Sequence, residues 1–146
     1  MSASRQIIKA VTVHRPWGYA IAHLDKMVEN RSWECKLPIG SFIAIHNGQK
    51  WDADAAKFIG NLNPTKFIDD PTPENDPPQS IIAVGIFAGN IFTSESPWFF
   101  GPIGWQIERI VAIDPVACPG QQGLWTLSPD VLDQVRVEYS KSTKTI

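Results

Sequence analysis

Short aliphatic, β-branched runs alternate along this chain with short stretches of helical spacing. Ile7 to Val13 is rich in β-branched residues and predicts a strand. Pro16 follows, suited to a first helical turn because its missing N–H is no loss there. Trp17, Ala20, Ile21 and Leu24 fall at i, i+3, i+4 and i+7, so the spacing predicts a short helix over 16–25 with one buried face. Met27 to Trp33 reads as extended, with Val28 and Asn30 pointing one way and Glu29 and Arg31 the other. Lys26 reaches the Glu29 and Arg31 face from the preceding turn.

Farther on, Gly40 opens a strand from Ser41 to His46, closed by the turn pair Asn47-Gly48. Asp52 to Ile59 has helical composition, with Ala55, Phe58 and Ile59 as its apolar side. Residues 61–80 hold five prolines and several acids and exclude a regular element, so they read as a long, mobile surface loop. Ile81 to Thr93 predicts the strongest strand, and its Gly85 and Gly89 mark bulges, bends or close backbone approaches. After the aromatic loop 94–104, Trp105 to Ile113 predicts a strand with Trp105, Ile107, Arg109, Val111 and Ile113 on one side. The run PVACPGQQGLW then turns into a short helix with Ser128 as its cap and Pro129 at its first position, followed by a frayed tail with Lys141 and Lys144. Strands with bend-inducing glycines and a few short helices describe an α+β domain, with a small, strongly curved sheet or barrel as its architecture.

The 146 residues fit one domain (1–146, core about 7–135, tail 136–146) that folds without disulfide or metal staples. Cys35 and Cys118 stand far apart without metal-ligand spacing and read as two reduced thiols of a cytoplasmic protein. No apolar run reaches the ~18 residues of a membrane span, and the N-terminal stretch lacks a signal-peptide core, so no membrane association is expected. Charge is unevenly spread. Residues 1–50 carry seven Lys/Arg against three Asp/Glu, whereas 51–100 carry two against seven. A basic first third suits a local anion-binding face more than a broad duplex-binding surface.

Local enzyme signatures are missing: there is no phosphate-binding glycine loop, His-Glu-x-x-His or nucleophile elbow. His14, His23 and His46 are too scattered for a metal site, and no metal or cofactor is expected. Six tryptophans are many for this length. Trp51, Trp105 and Trp125 read as core, while Trp98, with Phe99 and Phe100, lies in a loop. Trp17 and Trp33 flank Lys26, Glu29 and Arg31. An aromatic surface beside donors and acceptors is what a flat base needs. The same residues also fit a solvated salt-bridge cluster beside buried rings, worth ~0–1 kcal/mol.

Three blocks carry a resemblance: Val13-His14-Arg15-Pro16-Trp17, then Lys26 through Trp33 (KMVENRSW), then Ile45-His46 with Lys50-Trp51. Together they resemble the ASCH domain family, in its activating signal cointegrator branch. Gly104-Trp105 and the run GQQGLW are similar to its bacterial and phage members, so the resemblance spans about Val11 to Trp125. It implies a PUA-like fold, a small β-barrel flanked by short helices, with a groove for RNA or single nucleosides. It places Lys26, Glu29, Arg31 and Trp17 along that groove, with His14, Trp33 and His46 as further ligand-binding positions. It also implies hydrolytic alternatives: an amidohydrolase acting on an acylated cytidine, or a ribonuclease.

The expected function is therefore binding of single-stranded RNA or a modified nucleoside. Arg31 would fork onto a phosphate or base carbonyl, Glu29 accept from an exocyclic amine, Lys26 add a point charge and Trp17 a stacking face. In a hydrolase, Lys26 and Glu29 would be the catalytic pair, although a Lys–Glu contact raises the lysine pKa and makes it a poorer base. A third reading is a protein-interaction module using Trp98, Phe99 and Phe100 as an exposed apolar patch.

Overall fold

The computed structural model describes residues 8–64 and 71–143. Ile7 of the expected first strand, residues 65–70 of the proline-rich loop, the tail beyond 143 with Lys144, and the N-terminal stretch read for a leader lie outside the described residues. The elements run β1 (Lys9–Arg15), α1 (Trp17–His23), β2 (Val28–Arg31), β3 (Phe42–Trp51), α2 (Ala53–Leu62), β4 (Ser80–Ile91), β5 (Ile103–Ala117), β6 (Leu124–Thr126) and α3 (Pro129–Thr143). They form an α+β structure with one mixed six-stranded sheet in the order β2-β5-β4-β3-β1-β6. Among the described residues only β1 and β3 pair in parallel; the other pairings are antiparallel.

Strand alternation sorts the core into two faces. On β1 and β3, Ala10 and Ala44 join a cluster with Ile81, Val84, Ile113, Trp125 and the α3 residue Val135. Their neighbours Val11, Ile43 and Ile45 join Ile21 of α1, Phe87, Trp105 and Ile107 in the other. The face expected of α1 is buried at Ala20, Ile21 and Leu24. Trp105 and Trp125 are core residues whose indole N–H groups donate to the Trp33 carbonyl at 2.9 Å and the Thr12 hydroxyl at 3.2 Å.

Register along β4 and β5 slips where the glycines stand. The ladder shifts between Val84 and Ile86 and again between Phe87 and Gly89. A Cβ on Gly85 would sit 2.5 Å from the Ile107 side chain, and Gly89 has a φ of +120°. The slip also breaks the expected alternation on β5. Arg109 takes a φ of 52° and is exposed, so Trp105 and Ile107 face one cluster while Val111 and Ile113 face the other.

Other expectations are corrected by long-range pairing. Asn47-Gly48 is not a turn: β3 runs through it to Trp51, because Val13 of β1 pairs with Asn47 and Arg15 with Trp51. The C-terminal helix is not short or frayed within the described residues. It has 15 residues, and Tyr139 packs edge-on against Phe42 at 5.9 Å. Residues 124–126 add an edge strand that periodicity over three positions cannot reveal. The expected closure into a barrel is not seen. β2 pairs with β5 and β6 with β1 at opposite ends of the order, and β6 covers β1 only from Lys9 to Val11.

The described part of the proline-rich loop is held to the sheet. Arg15 is buried at the end of β1 and donates to the carbonyls of Pro73 at 2.8 Å, Asp76 at 2.6 Å and Gln49 at 2.9 Å. Asn47 donates to the Asp76 carboxylate and the Pro77 carbonyl, each at 2.9 Å. Those bonds fix the Asn47 amide so that its Oδ1 rests against Gly18 of α1. A Cβ at Gly18 would overlap it, and the amide cannot turn away without losing both bonds. Gly18→Ala is expected to cost ~1–3 kcal/mol in urea unfolding, and a midpoint equal to wild type would show that α1 can shift to make room.

Candidate nucleic-acid cleft

The site begins with how the chain leaves α1. The N–H groups of Leu24 and Lys26 both donate to the Ala20 carbonyl, at 2.9 and 3.1 Å, and Asp25 between them takes a φ of 61°. This tight exit turns Lys26 inward. Its ammonium donates to the Val28 carbonyl at 2.6 Å, lies 3.6 Å from Glu29 Oε1 and sits 5.2 Å from the centre of the Trp17 ring. Lys26 is only 2% exposed. Burial pushes its pKa down from the usual lysine range, against the opposing pull of Glu29. The contact with Glu29 therefore does not dominate as the sequence suggested, because desolvation is the larger effect.

On β2 the expected alternation holds. Glu29 and Arg31 share a face, with Arg31 Nε donating to Glu29 Oε2 at 2.9 Å. Arg31 Nη2 donates to the Thr12 carbonyl at 2.7 Å. Thr12 lies on β1 just past the point where β6 stops covering that edge, so the guanidinium spans the two uncovered edges of the curled sheet. Its Cζ also lies 5.7 Å from the Trp105 ring centre. Among the described residues, Nη1 has no hydrogen-bond partner.

Between those edges opens a cleft of about 350 Å³, lined among others by His14, Trp17, Glu29, Asn30, Arg31 and Trp33. Five of the seven expected site residues thus meet in one place: His14, Trp17, Glu29, Arg31 and Trp33. His14 is exposed, and Trp33 presents the more open ring at 38% exposure, in T-shaped contact with Trp105 at 4.8 Å. Trp17 is half-buried, packed against Phe58 at 6.1 Å and Phe100 at 5.8 Å. Lys26 does not line the cleft. It lies behind Glu29 and against Trp17, where it neutralises the carboxylate.

His46 is also elsewhere. It is fully buried beneath Thr12, and its bonds fix its tautomer. The Cys118 carbonyl, 2.8 Å from Nε2, can only accept, so Nε2 carries the proton. The Trp125 indole donates to Thr12 Oγ1, whose own proton then goes to His46 Nδ1 at 3.1 Å. Burial lowers the His46 pKa, opposed by the Cys118 bond.

Asn30 was expected to point away from the charged face, and its hydrogen bonds run to the aromatic loop. Its Oδ1 accepts from the N–H groups of Phe100 at 2.8 Å and Gly101 at 3.0 Å, while its Nδ2 donates to the Trp98 carbonyl at 3.0 Å. One side chain thereby clamps the loop against the cleft. Trp98 is buried and Phe100 exposed, so the loop offers one open ring rather than three. Thr12, Asn30 and Ser32 also line the cleft without having been singled out. The signal for Asn30 was an amide alternating with charged residues on a short strand, which left its side chain to seek backbone partners elsewhere. Among the described residues no cluster of His, Cys, Asp or Glu could hold a metal, and no helix is long and apolar enough to cross a membrane.

His46 and His23 both bind protons less well in the folded chain than the ordinary histidine value of 6.5. Unfolding therefore takes up protons as pH falls below that value. Stability is expected to be highest above about pH 6.5 and to decline below it, by at most about 1.4 kcal/mol per pH unit for each histidine. Urea unfolding of wild type and His46→Gln between pH 7.5 and 5.5 reads this. A flatter slope in the variant assigns the effect to His46, and an equal slope removes it from that residue.

No protein-family model matches the chain, and no curated protein matches it in sequence. Its structure is similar to that of ASCH from Zymomonas mobilis, with a TM-score of 0.54 and 14% identity over 89% of this chain and 94% of that one. Two single-substitution variants of the same protein match at a TM-score of 0.55 and 13% identity. One covers 89% of this chain and 94% of its own, and the other 90% and 98%. Likeness at this identity speaks for architecture, and it agrees with the mixed sheet and helices described above: the chain has the ASCH-domain fold.

Proposed function

We propose that the cleft between the β1 and β2 edges binds single-stranded RNA or a nucleoside. The observation that carries this reading is one cavity in which a Glu29–Arg31 pair stands beside the rings of Trp17 and Trp33. A flat base would stack on Trp33, the more open of the two. Arg31, with Nη1 unused among the described residues, would donate to a phosphate or a base carbonyl. Both Glu29 oxygens face cations, yet each keeps a lone pair for an exocyclic amine. Lys26 supports this from behind rather than by touching the ligand. A cleft of about 350 Å³ takes one flat group, which fits an unpaired base and not a duplex.

Hydrolysis of RNA or of an acylated cytidine is a second reading, favoured by one observation: Glu29 lines the cleft, where it would act as general base for a water. Lys26, shielded by Trp17, would act in that reaction as a positioning residue. The protein-interaction reading draws less support, since Trp98 is buried.

Anisotropy of a labelled, mixed-sequence single-stranded RNA titrated with the protein tests the binding reading. Saturable binding that weakens with salt is expected, and Trp33→Ala should reduce affinity roughly 5- to 150-fold, the range of one base–aromatic stack. No binding of RNA or of any nucleoside, even at low salt, overturns it. Chromatography of the same mixtures tests the second reading: cleaved or deacylated product that disappears in Glu29→Gln supports it, and product that persists in that variant removes Glu29 from the chemistry.

A further inference from the structure

The cleft is not closed beyond Arg31. A second cavity of about 640 Å³ is lined by Thr12, His14, Arg31 and Trp33, the same four residues that line part of the first, and by Gln121, Gln122 and Gly123. Sharing four lining residues makes the two cavities one continuous groove, with Arg31 among the residues at their junction. Each half lies within the ~300–1,000 Å³ span of small-ligand sites, so the groove exceeds what one nucleoside fills.

The far wall is built to hold its place. Gly120 packs so closely on buried His46 and half-buried Thr12 that a Cβ there would come within 2.7 Å of the imidazole. Upstream, the Cys118 carbonyl accepts from His46 at 2.8 Å and the Cys118 N–H donates to Gln79 at 2.9 Å. Downstream, β6 pairs with β1 from Leu124 onward. Gly123, at a φ of +69°, lets the turn bring its backbone toward the outer edge of the Trp33 ring. Gln121 and Gln122 themselves are exposed and carry amides that both donate and accept. Among the described residues, the lining of this half includes an arginine and a histidine and no carboxylate.

We infer that Gln121 and Gln122 form a second nucleotide subsite beyond Trp33, so that the ligand is an oligonucleotide of at least two units with its linking phosphate at Arg31. This rests on the binding reading above. It narrows that reading, excluding a free nucleoside as the preferred ligand. One base enters the Trp17–Glu29 half. The next lies in the glutamine half, where an amide can meet either donors or acceptors on its edge. The phosphodiester between them is the anion opposite Arg31 and His14.

The test compares the four free nucleosides, the corresponding dinucleoside monophosphates and a ten-nucleotide single-stranded RNA by calorimetry on the full chain. The double variant Gln121→Ala/Gln122→Ala alters only exposed side chains. Dinucleotides are expected to bind wild type about tenfold or more tightly than any nucleoside, with a salt dependence the nucleosides lack. The variant should lose that gain while keeping nucleoside affinity within about twofold. Equal binding of nucleoside and dinucleotide by wild type overturns the second subsite and leaves the first intact. A gain that survives the double substitution also overturns it, because the second unit then lies elsewhere. Absence of binding by every probe overturns the binding reading itself, and this inference with it.

Discussion

A buried carboxylate governs this structure. Glu29 is 7% exposed, and a lone charge so far from water would cost several kcal/mol. Three separate parts of the chain meet that demand. The exit from α1 delivers the Lys26 ammonium, β2 presents Arg31 two residues along, and the curl of the sheet brings the Thr12 carbonyl to hold the guanidinium in place. The β2 strand has only four residues and one neighbour in the sheet. The charged group ties it to β1 as well, across a gap that backbone pairing leaves open. The groove is that gap.

Its remaining walls follow from packing rather than charge. Trp17 lies between Lys26 and the aromatic pair Phe58 and Phe100, so the ring closing one end is held on two sides. Asn30 secures the loop that brings Phe100 there, using three bonds from a single amide. Trp105 supports the outer wall through its edge contact with Trp33 and its indole bond to the Trp33 carbonyl. The ring most open to a ligand is thus mounted on the most buried tryptophan of the core.

Much of the cleft's lining was legible because its residues are close in sequence. Period-two alternation put Glu29 beside Arg31, and the short turn before β2 put Lys26 within reach. What could not be read was depth. Lys26 and His46 have the residue types of a site, yet packing takes both away from the cleft, Lys26 against Trp17 of the preceding helix and His46 against the far-off Cys118. The fold shows the same division. Elements with local periodicity, such as α1 and β4, were foreseeable, as were the bulges at Gly85 and Gly89. Asn47-Gly48 has turn composition and nonetheless continues a strand, because pairing with β1 outweighs local preference. The reversal at Arg109 and the three-residue β6 likewise depend on partners far along the chain. So does the fastening of residues 71–77 by Arg15, a bond across 61 positions at its longest.

The two sides of the groove differ in how freely they can change. On the β2 side the cleft-lining groups Glu29 and Arg31 are also the groups that neutralise each other, so altering one disturbs the strand that carries it. On the other side, Gln121 and Gln122 project from a turn held in place by backbone bonds and by the close seat of Gly120. Their side chains can be exchanged without touching the core. A scaffold of this kind would evolve new ligand preferences along one bank of the groove while the other stayed fixed, and a protein engineer would find the same asymmetry convenient.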